Sequence, residues 1–206
     1  MHDTDFLASL PVERRLALAY APPRTKRLWL GLFAFDARLG TTVHKAVEPM
    51  LTQVKLAWWR DELAKPRSDR RRGEPLLELL DVWGDEAAGL VALVDGWELV
   101  LGESKIDSAT ALQFAEERAR ACLSLTDRLG VSSEGVAAAA RGWALADLGR
   151  ALAAPVEFAW PRVRLPREMR PLAVLYGLAR RSRGQEALLS GPIAGLRAVG
   201  LGLLGI

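Results

Sequence analysis

Thr25-Lys26-Arg27-Leu28-Trp29-Leu30-Gly31-Leu32-Phe33-Ala34-Phe35-Asp36-Ala37-Arg38-Leu39 sets the character of the chain, because Leu28, Leu32, Phe35 and Leu39 recur at spacings of three to four. That is the period at which side chains line one face of an α-helix. The pattern predicts a helix from Thr25 into the forties. Upstream, a helix carrying Leu16 and Tyr20 stops at Ala21-Pro22-Pro23, where proline removes a donor and restricts the residue before it. Downstream, Pro49 suits a first helical turn, and Leu51, Val54, Trp58 and Asp61 follow at the same spacing.

The remainder reads the same way. Lys65 to Gly73 (KPRSDRRRG) is a basic, breaker-rich loop. Helical patterns resume at Pro75 and from Asp85 to Leu101. Asp107 or Ser108 caps a long helix that Gly130 closes. Ser132 or Ser133 opens another that runs to about Ala154, and Pro155, Pro161 and Pro166 define an irregular connection before two last helices. The second of these is an apolar terminal helix over 184–206. No alternating strand and no repeat stands out. The expectation is one all-α domain over 1–206, a bundle of about seven to nine helices.

Bulk properties narrow the functions. The chain has 206 residues, of which 50% are hydrophobic and 26% charged, an ordinary globular balance. One cysteine, Cys122, excludes an internal disulfide framework, and only His2, His44 and Cys122 could supply nitrogen or sulfur to zinc. A net charge of +3 weakly favours anionic partners. Arg70-Arg71-Arg72 lacks the aromatic interleaving of a nucleic-acid surface and reads as a solvated loop, so no nucleic-acid role is expected. The acidic start MHDTDFLASLP is unlike a secretory signal, and no uncharged apolar run reaches the length of a membrane span, which points to the cytoplasm. Gly200 to Gly205 satisfies G-x-G-x-x-G but lacks the flanking strand and helix that a dinucleotide site needs.

Three stretches, in order, carry a resemblance. They are Leu32 to Leu39 leading through Glu48-Pro49-Met50-Leu51 to Leu56-Ala57-Trp58-Trp59-Arg60-Asp61-Glu62-Leu63, then Arg141 to Ala151 (RGWALADLGRA), then Arg162-Val163-Arg164-Leu165-Pro166. Together they resemble the squalene/phytoene synthase family, and the chain looks like a short, divergent bacterial member of it.

The resemblance implies an all-α terpenoid-synthase fold. In active members two aspartate-rich motifs face each other across a cavity and hold Mg²⁺ on prenyl diphosphates, whose departure leaves an allylic cation. Carried over residue by residue, the first pair of acids falls on Gly40 and His44, and the second on Ala151 and Pro155, with Arg150 retained. Neutral imidazole does not replace a carboxylate for a hard, oxygen-seeking cation. The expectation is therefore a non-catalytic accessory or assembly protein without cofactor, its partner a protein or an apolar prenyl ligand. Peripheral contact with the inner membrane face fits that role. The same family has a branch of respiratory complex I assembly factors that lack prenyl transfer. The alternative is a Mg²⁺-dependent prenyltransferase with a displaced metal site. Asp36, Asp61, Glu62 and Asp147 would then be the acids, and Arg38, Lys45, Arg60 and Arg150 the diphosphate contacts.

Overall fold

The computed structural model describes residues 3–182, apart from the side chain of Arg150. The expected terminal helix over 184–206 and the glycine pattern within it lie outside the described residues.

Nine α-helices occur among the described residues: α1 (Asp3–Ser9), α2 (Val12–Ala19), α3 (Pro23–His44), α4 (Pro49–Ala64), α5 (Pro75–Leu80), α6 (Val91–Leu99), α7 (Ser108–Leu129), α8 (Val136–Leu148) and α9 (Arg170–Ser182). The all-α bundle expected from periodicity is what forms. Its boundaries follow local chemistry. Pro23, Pro49 and Pro75 start helices, where a missing N–H costs nothing. Asp107 caps α7 by accepting from Thr110 N at 2.9 Å. At the other end Gly130 takes the left-handed conformation (φ 63°) that closes a helix, a backbone few other residues adopt cheaply.

Helix α3 is the axis. It buries residues from Leu28 to Val43, including Trp29, Phe33 and Phe35, which are fully enclosed. The α7–α8 pair packs on one side of this core, α9 lies between α8 and α2 and touches both, and α4 and α6 pack together beside α7. Edge-on ring contacts run through the interior: Phe33 meets Trp143 at 5.7 Å, Phe35 meets Trp59 at 5.0 Å and Trp97 meets Phe114 at 5.0 Å between centroids.

Four expectations change. Helix α8 starts at Val136 rather than at the serines, because Ser132 Oγ accepts from Glu134 N and holds a turn. It also ends at Leu148 instead of near Ala154, since Gly149 (φ 39°) turns the chain out of the helix. The strand-like pairing of Ala151 and Ala153 with Ile106 follows, each through a 2.8 Å backbone hydrogen bond. On α4 the inward face is Thr52, Leu56, Trp59, Glu62 and Leu63, whereas Leu51 and Val54 face outward. Asp85 to Leu90 belongs to a 3₁₀ stretch that precedes α6.

No described helix is long and apolar enough to cross a membrane.

Candidate functional site

One face of α3 presents Leu32, Asp36 and Gly40 at intervals of four, toward α6, α7 and α8. Asp36 is completely buried, and an isolated carboxylate there would be strongly unfavourable. It is not isolated. Arg118 of α7 donates from Nη2 to Oδ2 at 2.9 Å and to Oδ1 at 3.1 Å. Arg14 of α2 approaches Oδ2 at 2.8 Å, and Trp97 of α6 donates its indole N–H to Oδ1 at 2.7 Å.

The same two arginines hold Asp147 of α8. Arg14 Nη2 donates to Asp147 Oδ2 at 2.9 Å, and Arg118 Nη1 lies 2.9 Å from the same oxygen. Because Arg14 Nη2 touches both carboxylates, their nearest oxygens lie within about 6 Å, the range over which carboxylates couple. Two anions and two cations cancel. Burial pushes the Asp147 carboxyl upward, but Arg14 and Arg118 outweigh it and hold the group below the usual carboxylate range. Trp143 fills the space beside the cluster, with the Arg118 guanidinium 4.4 Å and the Arg14 guanidinium 5.4 Å from its ring centroid.

Asp36 and Asp147 look like unconnected acids in the sequence; the fold joins them. The arginines that join them were missed, being separated from their partners by 82 and 133 residues. A signal existed. Phe114, Arg118 and Cys122 sit at intervals of four on a buried stripe of α7, where a lone arginine needs an anion.

The four positions that the resemblance aligns with metal-binding acids are built differently. A Cβ on Gly40 would lie 2.8 Å from Trp97 Cζ2, so the indole that bonds Asp36 fills that space. His44 is exposed, with Nδ1 2.7 Å from Gly40 O and its ring edge-on to Trp97. Ala151 and Pro155 do not share a helical face at all, because both lie beyond the end of α8, and Pro155 is exposed.

The remaining candidates stay apart from the cluster. Arg60 binds Asp95 (Nε at 3.0 Å, Nη2 at 2.6 Å) and Glu98 at 2.7 Å, tying α4 to α6. Asp61 is exposed. Glu62 is buried and accepts from Lys65 Nζ at 2.6 Å and Arg71 N at 2.8 Å. Arg38 lines a shallow cavity of about 230 Å³ between α1, α3 and α5, and Lys45 is exposed at the end of α3. Of Arg150 only the backbone is described, in the turn after α8. The basic loop is not wholly solvated: Arg70 is buried and donates to the carbonyls of Lys65 and Gly84.

A magnesium–diphosphate clamp needs carboxylate oxygens free to ligate a hard cation. Both oxygens of Asp36 and Oδ2 of Asp147 are already engaged by guanidinium and indole donors, so this set does not fit that group. Among the described residues no three His, Cys, Asp or Glu side chains are placed to share a metal ion. No family model, curated protein or solved structure matches the chain.

Proposed function

We propose that this chain is a non-catalytic relative of the squalene/phytoene synthases that acts as an accessory or assembly protein, working through its surface. The reading also makes it cytoplasmic, peripheral on the inner membrane face, with a protein partner or an apolar prenyl ligand. One observation carries it. Asp36 and Asp147, each four residues before a position that the resemblance aligns with a metal-binding acid, are neutralised by Arg14 and Arg118, and Trp97 lies across Gly40. The two carboxylates and two guanidiniums cancel in charge and tie α2, α3, α7 and α8 together, a scaffolding role.

A Mg²⁺-dependent prenyltransferase is the second reading. The convergence of Asp36 and Asp147 favours it, on condition that both arginines release their carboxylates to a metal and turn to the substrate.

The experiment is incubation of the purified protein with Mg²⁺ and farnesyl or geranylgeranyl diphosphate, following diphosphate release. No release above a protein-free blank is expected. Sustained turnover that depends on Mg²⁺ would establish the second reading instead.

A further inference from the structure

Helix α4 is apolar on two faces, and only one of them is covered. A helix apolar all round normally lies inside a protein. Leu56, Trp59 and Leu63 do so here, but Met50, Leu51 and Val54 on the other face are 76%, 56% and 63% exposed. The bend that leads into the helix continues the surface, with Val47 at 93%. Val47, Met50, Leu51 and Val54 thus form one apolar ridge over the α3–α4 corner and the first turns of α4. Four such side chains in a row exceed the scattered exposed apolar residues that need no explanation.

The setting of the ridge selects its occupant. Val47 is so exposed that it projects from the corner, a convex shape that suits entry into a soft medium better than a rigid groove. The charge along this stretch of chain is basic: over residues 38–55 the cations are Arg38, Lys45 and Lys55, against Glu48 as the lone acid. All three cations are exposed, and Lys45 and Lys55 lie on either side of the ridge in the chain. Apolar side chains entering a bilayer with lysines at headgroup level are the usual elements of interfacial binding to anionic lipid.

We infer that the α3–α4 corner is a membrane-docking edge, on which Val47, Met50, Leu51 and Val54 enter an anionic bilayer while Lys45 and Lys55 meet its phosphates. The inference rests on the reading of a chain that works through its surface, and names the surface. Its failure is distinguishable from failure of that reading, which is decided by diphosphate turnover.

The test uses the full chain carrying Val47→Cys, labelled with an environment-sensitive fluorophore. Cys122 is fully buried, and burial pushes its thiol up to about 12, so the label goes to position 47. Emission should rise with phosphatidylcholine–phosphatidylglycerol vesicles and not with phosphatidylcholine alone. Sedimentation of unlabelled protein with the same anionic vesicles should fall at least ~10-fold in Met50→Asp/Val54→Asp, on the cost of placing charges in lipid. Far-UV circular dichroism of that variant should match the parent, since both sites are exposed. Unchanged vesicle binding by Met50→Asp/Val54→Asp would overturn the inference. So would a wild-type chain that ignores the vesicles but self-associates through this face, seen as a larger elution size that the double substitution abolishes.

Discussion

Trp97 donates its indole N–H to Asp36 Oδ1 at 2.7 Å while the far edge of the same ring occupies the space a Cβ on Gly40 would need. One side chain from α6 therefore does two things to one face of α3. It adds a donor to the buried carboxylate and makes glycine obligatory four residues later.

Substituting Gly40 tests this coupling. Gly40→Ala should lower stability by about 1–3 kcal/mol despite alanine's better helix propensity, because the ring is hemmed in and cannot retreat. Combined with Trp97→Phe, which removes the ring atoms nearest Gly40, the cost of the alanine should shrink, giving a coupling of ~0.5–3 kcal/mol in a urea-denaturation double-mutant cycle. Additive effects would mean that the two residues do not constrain each other.

Arg118 is the donor that Asp36 and Asp147 share from α7, and it is almost wholly buried. Arg118→Met keeps much of the volume but strands negative charge in the interior. We expect a loss of about 3–5 kcal/mol, partly recovered when Asp36→Asn is added, since breaking one side of a buried pair costs more than removing both. Denaturant midpoints at neutral pH would read both steps. A loss under ~1 kcal/mol for the single variant would contradict a tightly held cluster.

Acid should weaken the fold through named groups. The carboxyl of Asp147 is held low by Arg14 and Arg118 against burial, and that of Glu62 by the hydrogen bond from Lys65 and the Arg71 N–H. A carboxyl lowered by folding contributes stability above its unfolded value, about 4, and loses that contribution as pH falls through the folded value. Urea midpoints should thus be level from about pH 5 to 7 and decline below about 4. Asp147→Asn should make the decline shallower, whatever it does to the midpoint at neutral pH. An unchanged acid slope in that variant would assign the loss to other groups.

Much of this molecule was legible beforehand, and the exceptions have physical causes. Helix α3, the proline starts and the Asp107-to-Gly130 helix follow from local rules, since caps and periodicity act within a few residues. The outward face of α4 was not legible, because Leu51–Val54–Trp58 and Leu56–Trp59–Leu63 are both apolar at helical spacing, and only a neighbouring helix decides which is covered. The end of α8 was missed although Gly149 marks it, because the alanine-rich run around it reads as continuous helix. Asp36 and Asp147 were picked as acids, but their neutralisation was hidden. Arg14 and Arg118 reach them across the fold, and charge pairing at that separation leaves no local period.

The four-charge cluster also sets the order in which a growing chain can close. Arg14 and Asp36 lie on neighbouring helices near the start and are the first two members to emerge, one cation and one anion. Adding α7 brings Arg118 and leaves the half-built interior with one cation in excess, until Asp147 of α8 arrives to cancel it. Drying the space between α3 and α7 before then would bury unpaired charge at a cost of several kcal/mol. A ribosome-bound chain that stops short of α8 should therefore remain wet and loosely closed along α3, and the last member of the cluster acts as the latch for the first.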